Sequence, residues 1–145
     1  MIDLVLQMQG IPKNVHALNN SSGKNGINSK DLGFAAFEYE NGISFVKSIA
    51  IDRNAFLRRQ LVITGTKDTL IINPIEKCVD IDNFMFSSAY SLTSTGKTVE
   101  MPPNSRYGDM FVDFYDIVVN GKQPEFTYSY ELDLFKTILE ASGLK

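Results

Sequence analysis

Two extended runs, LGFAAFEYE at 32–40 and ISFVKSIAI at 43–51, flank the dipeptide Asn41-Gly42. Asn and Gly tolerate the positive φ that a two-residue hairpin turn demands, so the sequence predicts an antiparallel hairpin with Asn41-Gly42 at its tip. A second pair follows, RRQLVIT at 58–64 and TLIIN at 69–73, joined by a turn at 65–68 and stopped by Pro74. Residues 14–20 form a shorter strand candidate, and 84–92 and 97–101 form weaker ones. Strands that follow one another without intervening helices argue against βαβ units and for an antiparallel-dominated sheet.

Helical patterns lie at the two ends. Residues 2–9, IDLVLQMQ, precede Gly10 and Pro12 and read as the closing turns of a helix, a start that suggests a chain cut from something longer. After Pro102-Pro103, Asn104 or Ser105 is placed to cap a helix that runs to Asn120 and stops at Gly121. Tyr107, Met110, Phe111, Phe114, Ile117 and Val118 form its expected inward arc, with Asp109, Asp113 and Asp116 opposite. Thr127 caps a last helix to about Ser142, whose expected apolar arc is Leu134, Phe135, Ile138, Leu139 and Ala141. Phe114→Ala and Ile138→Ala should then each cost about 2–5 kcal/mol. The predicted fold class is α+β: a two-layer sandwich, an antiparallel-dominated open sheet with helices on one face.

Apolar residues occupy both alternation registers between 34 and 51. Helices cover one face only, so the helix-free face is expected to make a homodimer or higher oligomer, or to meet another domain.

The chain has 145 residues, 43% of them hydrophobic, which is enough core for one domain and excludes disorder or a coiled coil. A net charge of -3 offers no attraction to nucleic acid or an anionic membrane, and no apolar run approaches the roughly 20 residues that span a bilayer. One cysteine, Cys78, and one histidine, His16, leave no disulfide framework and no Cys/His metal centre, which fits a cytoplasmic protein.

Catalytic patterns are thin. No G-x-S-x-G elbow accompanies His16, which reads as structural. The Asp109, Asp113 and Asp116 stripe could face a hard cation but reads as a solvated helix face. Gly65-Thr66-Lys67-Asp68-Thr69 lacks phosphate-loop spacing and precedes a strand, so it reads as a hairpin turn. Arg53, Arg58 and Arg59, with Phe56 among them, read as an interface or loop anchor ahead of a nucleic-acid patch.

Several segments, in order, resemble the carboxy-terminal domain of the Gfo/Idh/MocA oxidoreductases. They are Ile2-Asp3-Leu4 with Gly10-Ile11-Pro12-Lys13-Asn14-Val15, the strand pair around Asn41-Gly42, Leu61-Val62-Ile63-Thr64-Gly65-Thr66 with Leu70-Ile71-Ile72, and Phe114-Tyr115-Asp116-Ile117-Val118 with Asn120-Gly121-Lys122 and Pro124. The resemblance implies one domain over residues 1–145 that supplies a substrate pocket and oligomer contacts to a sugar or polyol oxidoreductase. NAD or NADP would be held by an amino-terminal Rossmann domain, and no cofactor by this chain. The family's histidine lies three residues before the aspartate matched by Asp3, ahead of Met1, so the chain is expected to be inactive alone. Asp3 is assigned an orienting or substrate-contact role. Arg53, Tyr90 and Tyr107 are candidate substrate contacts because they sit at loops or element ends and donate to hydroxyls. The alternative is a non-enzymatic interaction module or a small sugar-binding module.

Overall fold

A computed structural model describes residues 1–26, 28–105 and 107–144, apart from the side chains of Asn25 and Phe56. They fall into two compact units, one made of residues 1–52 and 124–145, the other of Arg53–Gln123.

In the first unit, α1 (Ile2–Gln9) ends at Gly10, whose φ of 78° is one that glycine adopts without strain. Strands β1 (Asn14–Asn20), β2 (Leu32–Tyr39) and β3 (Gly42–Ile49) form an antiparallel sheet in that order. The last element, α3 (Tyr128–Ala141), starts where Thr127 Oγ1 accepts from the Tyr130 amide at 3.2 Å, the cap that the sequence predicts.

Alternation sends Val15, Ala35, Phe37, Tyr39 and Val46 to one face of this sheet, where Val5 and Ile2 of α1 and Ala141 of α3 complete the core. Phe37 is fully buried and Leu6 nearly so. The unit is the expected α+β arrangement: an open antiparallel sheet with helices on one face.

Two details differ from expectation. Tyr39 pairs with Gly42, so the hairpin loop is Glu40-Asn41, one residue earlier than the Asn-Gly signal places it, and none of residues 40–42 has positive φ. The observed register sets Phe45 opposite small Ala36, whereas a loop at 41–42 would set it against Glu38. The buried side of α3 is also rotated. Thr137 and Ala141 are its buried residues, while Phe135 and Ile138 are 57% and 38% exposed. Thr137 is suited to burial because its hydroxyl donates to the Asp133 carbonyl at 2.8 Å. Ala141 leaves room for Asn19, whose Nδ2 donates to the Ala141 carbonyl at 2.9 Å.

The second unit carries the remaining strands in two antiparallel sheets. One has the order β4 (Leu61–Thr64), β5 (Thr69–Ile72), β8 (Ala89–Leu92), β9 (Thr98–Glu100). The other has the order β10 (Asn104–Ser105), β7 (Met85–Ser87), β6 (Lys77–Asp80). The single strand expected over 84–92 is broken at Ser88, and its two halves join different sheets. Phe84 does not enter it, because φ of 52° there closes the preceding turn. Asp68 binds the two hairpin turns of the four-stranded sheet together, accepting from the Thr93 hydroxyl at 2.9 Å and from the Ser94 amide and hydroxyl. Those Ser94 bonds, with Thr93 and the Thr69 amide, hold its carboxyl down at about 2.

Helix α2 (Gly108–Asn120) ends at Gly121 in the left-handed conformation. Ser105, a predicted cap, accepts from the Gly108 amide at 3.0 Å, although Tyr107 is the residue at the cap position. The expected inward arc is not buried. Met110, Phe111, Phe114 and Val118 are all more than half exposed, and no residue of α2 is buried. The two helices that pack on one sheet are therefore α1 and α3, and the cost expected for Phe114 is revised. Phe114→Ala should cost less than about 1 kcal/mol, read as the change in urea midpoint at constant slope. Asp113 and Asp116 accept from Lys122 and Asn120, and no group of three or more His, Cys, Asp or Glu side chains is placed to hold a metal among the described residues.

Candidate functional site

The face of β1–β3 away from the helices is a grid of cross-strand rows. Leu18, Phe34 and Lys47 form one row; His16, Ala36 and Phe45 the next; Asn14, Glu38 and Ile43 the third. Leu18, Ile43 and Phe45 are 73%, 72% and 67% exposed. The Phe34 and Phe45 rings stack at 5.7 Å, which fixes both as one aromatic patch. At one end of the patch Glu38 Oε2 accepts from Asn14 Nδ2 at 3.1 Å and lies 3.3 Å from His16 Nε2. The Asn14 bond, with His16 and Lys13 nearby, lowers the Glu38 carboxyl below its ordinary range. His16 is thus an exposed partner of Glu38, consistent with its structural reading.

A cleft of about 270 Å³ lies in the second unit, lined by Ile75, Glu76, Phe86, Ser87, Ser88 and Asn104. Glu76 accepts from Arg59 Nη1 at 2.5 Å, and the Ile75 amide donates to the Arg59 carbonyl at 2.9 Å. Arg59 is therefore the loop anchor that the sequence suggests, and it orients a carboxylate at the wall of the cleft. Carboxylate, hydroxyl and amide groups in one hollow are the groups that exchange hydrogen bonds with a polyhydroxylated ligand. A shallower hollow of about 380 Å³ in the first unit is lined by Gln9, Tyr39, Glu40, Asn41 and Gly42.

The four candidate site residues do not fall in either hollow among the described lining residues. Asp3, in α1, accepts from the Tyr130 hydroxyl of α3 at 2.6 Å and from Gln7 Nε2 at 2.9 Å. Burial, followed by the bond to Asp3, pushes the Tyr130 phenol up to about 12, and Phe126 stacks on its ring at 5.1 Å. Asp3 thus joins two helices. Arg53 lies in an exposed turn, Tyr90 in β8 between Ile72 and Val99, and Tyr107 ahead of α2 with its ring edge-on to Phe84 at 6.3 Å. Sequence reasoning missed Glu76 and Asn104. Their shared cleft depends on how β6, β7 and β10 pair, and short strands of two to four residues leave little periodic signal.

No family model matches the sequence, and no curated protein matches it. Solved structures do share the fold. The yvaA protein of Bacillus subtilis, named as an oxidoreductase, superposes with a TM-score of 0.70 at 19% identity over 98% of this chain and 46% of its own. A Desulfitobacterium hafniense protein named as an NADPH-dependent oxidoreductase gives 0.69 at 14% identity, covering 98% and 42%. An oxidoreductase from Bacillus cereus gives 0.62 at 16%, covering 99% and 47%. The chain therefore has the fold of part of several oxidoreductase structures and spans less than half their length. No helix among the described residues is long and apolar enough to cross a membrane.

Proposed function

We propose that this chain is the carboxy-terminal domain of an NAD(P)-dependent sugar or polyol oxidoreductase of the Gfo/Idh/MocA type, supplying a substrate pocket and an oligomer interface. The observation that carries the reading is the lopsided coverage: nearly all of this chain superposes on less than half of structures named as oxidoreductases. A Rossmann domain would supply the rest, with NAD or NADP bound there and no cofactor bound here. Asp3 then has an orienting role, since its bonds to Tyr130 and Gln7 fix α1, the segment that the resemblance places after the family's histidine. Glu76, Ser87, Ser88 and Asn104 offer the hydroxyl-binding groups of the cleft, while Arg53, Tyr90 and Tyr107 lie outside its lining and are kept as substrate contacts on the resemblance alone. The helix-free face of β1–β3 is the homodimer or higher-oligomer surface, because its exposed Leu18, Ile43 and Phe45 gain most from being covered. A cytoplasmic location belongs to the same proposal and rests on the single unpaired cysteine, Cys78.

Calorimetric titration of the chain with the oxidised and reduced forms of NAD and NADP should be flat, and a low-micromolar Kd for any of them overturns the assignment. A second reading, an interaction module without redox chemistry, is favoured by the exposed aromatic patch. The coding sequence upstream of Met1 separates the two: G-x-G-x-x-G after a first strand supports the oxidoreductase.

A further inference from the structure

We propose that the tip of the β2–β3 hairpin modifies itself: the Gly42 amide nitrogen displaces ammonia from the Asn41 side chain, and residue 41 ends as aspartate or isoaspartate. This chemistry needs no second domain, ligand or partner.

Asparagine followed by glycine is the sequence that permits it. The peptide nitrogen after an asparagine can close a succinimide ring on the side-chain carbonyl carbon, and glycine brings no side chain to block the approach. Once that nitrogen has given up its proton it attacks Cγ, the Cγ–Nδ2 bond breaks, and ammonia leaves with a proton from water. Water then adds to one of the two carbonyls of the succinimide. Opening on one side gives aspartate, and opening on the other routes the backbone through the side chain and gives isoaspartate. Water is consumed and ammonia released, with no change of oxidation state.

Asn-Gly pairs occur at 25–26, 41–42 and 120–121, and the Asn25 side chain lies outside the described residues. The fold treats the other two differently. Asn120 is held twice: its Nδ2 donates to Asp116 Oδ1 at 2.7 Å, and the Gly121 amide, which would have to attack, donates to the Asp116 carbonyl at the end of α2. Asn41 is exposed in the two-residue loop, and its side chain makes no hydrogen bond among the described residues. Gly42 stands opposite Tyr39 in the last pair of the ladder, where strand pairing opens most readily. The nearest neighbour to the place a Gly42 Cβ would take is Gln9 Nε2 at 3.8 Å, so the approach is open.

The product changes what the tip presents. Glu40 pairs with Lys13 at 3.7 Å, and Glu40 and Asn41 both line the hollow beside Gln9. A second carboxylate there outnumbers the Lys13 ammonium and turns the hollow toward cations. Isoaspartate also adds a backbone atom to a loop whose length helps to fix the register of β2 against β3.

Ageing the 145-residue chain in warm, mildly alkaline buffer, followed by tryptic digestion and mass spectrometry, tests this. Trypsin places Asn41 in peptide 31–47 and Asn120 in peptide 107–122, and neither peptide holds another amide side chain, so a gain of one mass unit assigns itself. In the folded chain, peptide 31–47 should convert at least about tenfold faster than 107–122, the scale on which a hydrogen bond to a carboxylate restrains a group. In guanidinium chloride the two should convert within about threefold of each other, because the restraint on Asn120 is gone. Equal rates in the folded chain, or a ratio that survives unfolding, overturns the protection of one site and the opening of the other by the fold. Peptide 31–47 should yield two products of equal mass, aspartate and isoaspartate, and Gly42→Ala should slow its conversion at least about tenfold. Gly42 has no positive φ and has room for a Cβ, so that variant keeps the hairpin. Aspartate as the sole product, or a Gly42→Ala variant that converts like wild type, overturns attack by the Gly42 nitrogen.

Discussion

Phe37→Ala is expected to cost about 3–5 kcal/mol, a large part of the about 5–15 kcal/mol that separates folded from unfolded domains. Phe37 is fully buried, paired across the sheet with Val15 and Ser44 and enclosed in the cluster with Val5, Ala35 and Ala141. Removing its ring leaves a cavity under both helices, and Ala35 and Ala141 are too small to collapse into it. Urea unfolding followed by far-ultraviolet circular dichroism checks this. A loss below about 1 kcal/mol would mean that α1 and α3 do not rest on β2.

The second large effect is on a titration. Asp3→Asn should bring the Tyr130 phenol down from about 12 toward the ordinary value near 10, stopping short because burial, the larger cause, remains. Tyrosinate difference absorbance across the alkaline range reads it directly. A phenol whose folded-state value is raised stabilises the fold fully below about 10, and that contribution is lost as pH rises through about 12. Asp3→Asn therefore narrows the alkaline window in which the pair holds α1 to α3. An unchanged Tyr130 titration would remove Asp3 as the fixing group.

Much of this fold is legible in the sequence where signals are local. Gly10 and the Thr127 cap each follow from a few adjacent residues. The hairpin is legible as a hairpin, but its register is not, since slipping the loop from 41–42 to 40–41 keeps the same faces buried and changes only which side chains oppose. That slip decides the grid on the open face, so the apolar character of the face is readable and its charge pattern is not. The apolar arc of α2 shows the converse. Periodicity in Met110, Phe114 and Val118 marks a face, but nothing in it says what lies against that face. Asp3 was found through a resemblance, yet its partner Tyr130 lies 127 positions away, beyond any local pattern.

The first unit is interrupted in sequence: its sheet is finished by β3, and its closing helix α3 arrives only after the whole of Arg53–Gln123. In polymer terms the second unit occupies a loop of the first. The entropy of closing a loop grows only with the logarithm of its length, about 0.6 kcal/mol for each doubling. The Arg53–Gln123 segment, with the cleft lined by Glu76 and Asn104, can therefore be lengthened or shortened at little entropic expense to the β1–β3 sheet. The chain's connectivity separates a unit whose length is free to vary from the sheet whose closing helix must still return to it.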